Sequence, residues 1–450
     1  MTSGSEDRIT AEPTKRFFVE MFTKDIALEQ AVLDLVDNSV DGARRSPKDG
    51  ALPLDGYTVQ ITLSKETFRI DDNCGGFDKN TAREYAFRFG RDFETPEVQA
   101  QRTSGAIGQF GVGMKRALFK FGQRFKVYSA TTTESWGIDV NVESWERAPG
   151  WTFDWAPFSP KGEVSQAKPG TEIEVSPLHA SVGNTFGSKY FENQIIGLIK
   201  SKHRSFISKG LDVTVNGTRV QPLDLTLYSG QQIRPGIFSD KFDGEESEPE
   251  VRLKLVAGVG TSAPREAGWY VICNGRVVLE ADTRNTTGWG EITEELSLPK
   301  YHGQFARFRG MAIFESDSSQ RVPWNTTKTD IDADSAIWRA AREKMIELMR
   351  PVIDFLNELD ADIEEHGRDR SPLLQALIST PLVKYENLPM TAEFEVPSID
   401  GLPDVVPYTK IQYSRPVDDV AELKRILGVG SAKAVGERTF DNALRKARGE

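Results

Sequence analysis

The chain has 450 residues, a net charge of −11, 38% hydrophobic and 27% charged residues. That length allows two or three domains with cores of their own, and 25 Phe with 8 Trp exclude a disordered chain. The acidic balance excludes coating of nucleic acid by bulk charge, and the two distant cysteines, Cys74 and Cys273, suit a reducing compartment and exclude a disulfide framework and a structural zinc site.

The leader MTSGSEDRITAEPTKRFF has no apolar core, and no run of about 18 apolar residues follows, so a soluble cytoplasmic protein without membrane contact is expected. Leu28, Val32, Leu35 and Val36 in LEQAVLDLVDNSVDGARR lie at helical spacing and predict an amphipathic helix over 28–45 that ends near Gly42. YTVQITLS and ETFRIDD predict a hairpin, RFKVYSA, SWGIDVNV and TEIEV are strand-like, and a helix opens at about Met114. The expected fold class is α/β, an α+β sandwich with a mixed sheet and helices on one face, over residues 1–184. LDVTVNG, EVRLKLVAG, GWYVICNGRVVLE and RGMAIFES predict a smaller α/β domain over 185–334. A long helical segment at 335–370 is expected to kink or restart at Pro351, and 371–450 reads as a linker and small helical tail. From Lys410 to Glu450 nine Lys or Arg stand against six Asp or Glu, a pattern that suits a solvated helix face ahead of a nucleic-acid contact.

Three separated segments carry chemistry. Asp34 and Asn38 of DLVDN fall at i and i+4, on one helix face. A carboxylate there suits polarising water, and an amide oxygen suits a Mg²⁺ that keeps its waters and its substrate phosphates; the same spacing also suits an acidic solvated face. In RIDDNCGGF, Asp72 is placed to accept from the exocyclic amine of a purine, with Gly75 and Gly76 letting the base lie against the chain; an Asx turn is the other reading. The third segment, GAIGQFGVGMKRALFKFG, crowds Gly105, Gly108, Gly111 and Gly113 ahead of a helix, an arrangement that offers backbone N–H groups and a helix dipole to phosphate. It is not a P-loop, because Met114 and Arg116 stand where Lys and Ser or Thr are needed. It is not a dinucleotide fingerprint either, because the glycine order is G-x-x-G-x-G and no opening strand precedes it.

The ordered set DLVDN, DDNCGG, GQFGVG and GTEIEV resembles the four sequence boxes of the GHKL superfamily, the ATPases that include gyrase, MutL, MORC proteins and the heat-shock chaperones. The resemblance covers roughly residues 15–180, and IGQFGVG is close to the chaperone lid sequence. It implies a Bergerat-type sheet and a nucleotide held under a mobile lid from Arg91 to Gly113. By that resemblance Asn38 is the magnesium ligand, Asp72 the adenine contact and Gly76 a flank of the base. Gly108, Gln109, Phe110, Gly111, Val112 and Gly113 line the phosphates, Lys115 adds a phosphate charge, and Thr171 joins the adenine network. ATP and Mg²⁺ are the implied cofactors. Two positions depart from the family pattern. Asp34 stands where Glu is usual, which sets the carboxylate roughly 1.5 Å back, a misplacement worth about a hundredfold in rate, and Cys74 replaces the first glycine of the adenine box.

In several members a following transducer domain sends a lysine to the γ-phosphate. Lys328 of VPWNTTKTDID is expected in that role, and GWYVICNGR resembles the transducer strand with its Asn-Gly-Arg turn. All four histidines follow the first box, which argues against a sensor kinase; little room remains for gyrase cleavage domains, and no MutL endonuclease metal motif occurs. The expectation is a stand-alone ATPase of the MORC and chaperone branch, a nucleotide-gated clamp with Asp34 and Lys328 as catalytic residues and a homodimer paired through the N-terminal segment. The alternatives are a regulatory or scaffold subunit with little hydrolysis, in prokaryotic genome defence and holding a protein client or partner subunit, and a DNA clamp using the basic tail.

Overall fold

The computed structural model of the chain describes residues 13–45, 50–88, 105–108, 112–244, 248–291, 298–397 and 411–449. Helix α1 (Lys15–Lys24), capped by Thr14, leads into α2 (Leu28–Arg45), whose residues from 30 to 43 are all buried except Asn38. The predicted hairpin forms from β1 (Thr58–Leu63) and β2 (Phe68–Asp72), antiparallel with Ile61 opposite Ile70. Their alternation buries one face and leaves the other more open, as strands covered on one side require.

Helix α3 (Gly113–Phe121) packs on α2. Strands β3 (Arg124–Ala130) and β4 (Ser135–Asn141) follow, then α4 (Val142–Arg147), β5 (Trp155–Ala156) and β6 (Gly170–Val175). The sheet order is β5-β4-β3-β6-β2-β1-β7-β8. Its last two strands arrive late, after α5 (Ala180–Phe186), α6 (Lys189–Lys202) and α7 (Arg204–Ser208), as β7 (Asp212–Val215) and β8 (Thr218–Arg219). Strand β7 runs parallel to β1, Val59 beside Val213, so the first sheet continues to Arg219 rather than closing at 184. LDVTVNG reads as a strand from its alternation, but nothing in that pattern says which sheet edge accepts it.

The second sheet has the order β10-β11-β14-β12-β13, from β10 (Gly236–Phe242), β11 (Val251–Val259), β12 (Gly268–Cys273), β13 (Arg276–Asp282) and β14 (Phe308–Ser316), with β9 (Thr226–Tyr228) outside it. Helix α8 (Ala336–His366), capped by Ser335, lies across it and buries Trp338, Met345, Met349, Val352 and Leu356. It runs through Pro351 as one helix. The proline ring is on the exposed side, so the one backbone bond it removes lies away from the packed face.

The stretch from 371 onward was expected to be a linker. Instead α9 (Pro372–Ser379) follows, and β15 (Leu382–Lys384) pairs with β9. Bridges from Arg234 to Glu395 and from Ile237 to Ala392 then tie the segment to the second sheet. The expected helical tail forms as α10 (Val417–Leu427) and α11 (Ala432–Arg448), packed on one another and largely exposed. The fold is a mixed α/β architecture with a helical C-terminal segment. Among the described residues no helix is long and apolar enough to cross a membrane.

Candidate functional site

The register of the first sheet places Asp72 opposite Thr171, which brings the second and fourth sequence boxes together. Asp72 Oδ1 accepts from Cys74 N at 2.9 Å and Thr171 N at 3.1 Å, and Oδ2 accepts from Ser39 Oγ at 2.6 Å. Thr171 Oγ1 lies 3.1 Å from Ser129 Oγ, which accepts from Phe77 N. Burial raises the Asp72 carboxyl above its ordinary range, while these donors act in the opposite sense. Gly76 has a φ of +59°, and a Cβ there would fall 2.2 Å from the Ala130 carbonyl oxygen, so only glycine fits this approach of chain to chain.

These groups form one end of a cleft of about 220 Å³, lined also by Asp34, Asn38, Gly108, Val112, Gly113 and Lys328. Helix α3, which begins at Gly113, also borders the cleft, and among the described residues its start has no side-chain cap. Gly113 packs directly on the catalytic candidate: a Cβ there would sit 3.0 Å from Asp34 Oδ2. Gln30 Nε2 donates to Asp34 Oδ1 at 2.9 Å.

Of the predicted lid, residues 105–108 and 112–113 are described; Gln109, Phe110 and Gly111 lie outside the described residues. Asp41 holds its described part, accepting from Ile107 N and Gly108 N at 2.8 Å each. Lys115 is a correction. It is buried, and its ammonium donates to the carbonyls of Ala86 at 2.9 Å and Arg88 at 2.7 Å, so it anchors the chain on the far side of the lid instead of lining the cleft. One turn of helix from Gly113, Arg116 does line the cleft, with its guanidinium 5.2 Å from the Phe22 ring of α1.

The chain that carries the second sheet reaches into this site at two points. Lys328, in a loop and at φ +55°, donates to Asp37 Oδ2 at 2.8 Å and lies 3.5 Å from Asp34 Oδ1. At the β12–β13 hairpin, Asn274 and Gly275 both have positive φ, as a type I′ turn requires. That turn sends Arg276 Nε to within 2.8 Å of Asp37 Oδ1, and Asn274 Nδ2 donates to Ala106 O at 3.0 Å. Arg44 also donates to the Gly105 carbonyl. His203, at the α6–α7 junction, places Nε2 2.8 Å from the same Asp37 Oδ1.

Asp37 is fully buried. Burial alone would push its carboxyl up, but Arg276, Lys328 and His203 hold it well below the usual carboxylate range. Burial lowers the His203 pKa more than Asp37 restores it, so the ring is neutral and donates through Nε2–H to an acceptor-only carboxylate. For Lys328 the two carboxylates outweigh burial and raise its pKa, which keeps the ammonium charged.

A mixed α/β fold thus gathers a buried carboxylate, a glycine-led helix start and a lysine from far along the chain around one cleft. Residues 26–171 match the family model for histidine kinase-, DNA gyrase B- and HSP90-like ATPases, which supports the GHKL superfamily for the segment that carries the first three boxes and the start of the fourth. No curated protein matches the chain.

Sequence reading missed Asp37, Asp41, Ser39, Arg116 and His203, and it marked Arg276 only as part of the Asn-Gly-Arg turn. For Asp41 a signal existed, since it lies one turn after Asn38 on the same helix. For Asp37 there was none beyond an acid among acids, because its partners come from elsewhere in the chain.

Proposed function

We propose that the chain is a Mg²⁺-dependent ATP-binding protein of GHKL type that hydrolyses ATP and works as a nucleotide-gated clamp. The observation that carries this is convergence: Asp34 and Lys328, 294 residues apart, meet in a cleft that also holds Asn38, Asp72, Gly113 and Thr171. Adenine is assigned to the Asp72 end and the triphosphate to the Gly113 end, where open N–H groups and the helix dipole favour negative charge. Asn38, the exposed residue among the buried positions from 30 to 43, lines the cleft, and its amide oxygen is a hard donor of the kind Mg²⁺ takes alongside phosphates and water. When bound, the ion would offset phosphate charge. Asp34 is assigned to draw a proton from the attacking water. Exposed Phe17 and Met21 on α1 support pairing of two chains through the N-terminal segment; residues 1–12 lie outside the described residues. Calorimetry with Mg-ATP on the native chain and on Asn38→Ala tests the reading: native binding that weakens in the variant is expected, and no native binding overturns it.

A second reading, a regulatory or scaffold subunit with little hydrolysis, is favoured by one observation. The Lys328 ammonium, 3.5 Å from Asp34, competes for the lone pairs a general base needs. Steady-state turnover of the native chain and of Asp34→Glu separates the two. Appreciable native turnover supports the ATPase, and binding without turnover supports the scaffold.

A further inference from the structure

We propose that Asp37 is the positioning residue of Lys328: it holds the lysine while no nucleotide is bound and yields it to the terminal phosphate, so that ATP binding is an exchange of partners at one ammonium. This rests on the ATP reading of the cleft.

The two oxygens of Asp37 are used unequally. Oδ1 is shared by Arg276 Nε and His203 Nε2, both at 2.8 Å, whereas Oδ2 faces Lys328 Nζ at 2.8 Å. A buried carboxylate held by the lysine alone would be left uncompensated when that lysine moved, at a cost that would forbid the movement. Here Arg276 keeps the charge balanced and His203 keeps one oxygen bonded, so Lys328 is the one partner that can leave. Its loop is held independently of its ammonium. Arg276 Nη1 donates to the Lys328 carbonyl at 3.4 Å, and the residue sits at a left-handed φ of +55°, so the side chain can swing while the backbone stays. Lys328 lines the cleft, whereas Asp37, directly beside Asn38 in sequence, does not.

A ligand shifts such an equilibrium only through a differential interaction with its two states. A nucleotide with a γ-phosphate competes for Lys328, and one without it does not. The Asn274–Gly275 turn that carries Arg276 also contacts Ala106 at the start of α3's preceding loop, so the residues that fix Asp37 are tied to the chain bordering the phosphate end.

The test measures Kd for a non-hydrolysable ATP analogue and for ADP by calorimetry, on the native chain, Asp37→Asn, Lys328→Met and the double variant. Asp37→Asn weakens the hold on the lysine and is expected to raise the preference for the analogue over ADP by about tenfold, the scale of one charge-assisted hydrogen bond. Lys328→Met is expected to remove the preference, and adding Asp37→Asn to it to change the ratio no further. A purely structural Asp37 would weaken both nucleotides equally, or act in the Lys328→Met background as well; either result overturns the proposal. If Asp37→Asn does not fold, the native chain crystallised with the analogue decides. Nζ on the terminal phosphate, with Arg276 and His203 still on Asp37, supports the exchange, and Nζ remaining on Asp37 overturns it. Failure of the native chain to bind either nucleotide overturns the ATP reading itself, a result distinct from the others.

Discussion

Replacing Asp72 by Asn keeps the shape of the side chain and changes one oxygen into a donor. Oδ1 already accepts from Cys74 N and Thr171 N at 2.9 and 3.1 Å, so the amide oxygen takes that place and the NH₂ turns toward Ser39 Oγ, 2.6 Å from Oδ2. Ser39 can rotate its hydroxyl to accept, and the loss of stability is limited to about 1 kcal/mol. The adenine amine fares worse, because it now meets a donor. An unmade buried bond costs about 1–3 kcal/mol, which is about 5- to 150-fold in Kd. Guanine presents a carbonyl oxygen in place of that amine, so the variant is expected to lose ATP affinity while its relative affinity for GTP rises. Burial also raises the Asp72 pKa, so protonation intrudes at a higher pH than for an ordinary aspartate. ATP affinity of the native chain should therefore fall as pH drops toward that range, and the Asn variant should not show this fall. Calorimetry with ATP and GTP across pH, beside thermal melts, checks all three. A folded variant with native ATP affinity, or with equal losses of ATP and GTP, refutes the base assignment.

Gly113→Ala places a Cβ 3.0 Å from Asp34 Oδ2 and 3.1 Å from its Cβ, so the carboxylate must shift by a few tenths of an ångström; turnover is expected to drop about tenfold or more with the melting temperature kept or raised by alanine's helix propensity. Parallel loss of stability and turnover would refute a positional cause. His203 takes up a proton less readily folded than unfolded, because burial lowers its pKa, so the stability it supports is present above the ordinary histidine pKa of about 6.5 and is lost as pH falls below it. His203→Gln keeps a donor for Asp37 and cannot titrate, so its melting temperature should be flatter between pH 7 and 5; identical slopes refute this. The lowered Asp37 carboxyl adds its own loss only below the ordinary aspartate pKa of about 4. Arg116→Ala should weaken ATP about tenfold more than adenosine, measured by calorimetry, and equal weakening of the two would remove Arg116 from the phosphate end.

Much of the first domain was legible because its signals are local. The alternation in TVQITL and FRIDD gives the hairpin, the apolar spacing of Leu28 to Val36 gives α2, and turn and strand residues place the boxes at strand and helix ends. Where register decides, sequence is silent. Nothing in LDVTVNG says that it completes the first sheet beside β1, and nothing in the segment after 371 says that Leu382–Lys384 adds to β9. Lys115 shows the limit of spacing inside one element. Positions 115 and 116 are about a third of a helical turn apart, and which of them faces the cleft depends on how α3 lies on α2. The structure buries Lys115 on Ala86 and Arg88 and turns Arg116 to the cleft.

The same limit explains why Lys328 was named from sequence and Asp37 was not. Lys328 was named through the resemblance of VPWNTTKTDID to the loop that carries a transducer lysine in GHKL proteins. Asp37 sits in a run of acids on an amphipathic helix, where the ordinary expectation is solvation. Its burial follows from packing by α6, α7 and the β12–β13 turn, elements that share no local pattern with α2. A carboxylate buried that deeply stays charged only if cations are delivered to it, and the cations delivered, Arg276 and Lys328, both come from the chain beyond the first sheet. The charge on Asp37 therefore depends on how the β12–β13 turn and the Lys328 loop pack against α2. Asn274→Ala, which removes the turn's bond to cleft-lining Ala106 but leaves Asp37, Lys328 and Arg276 in place, is expected to weaken ATP binding measured by calorimetry, and native affinity would refute the dependence.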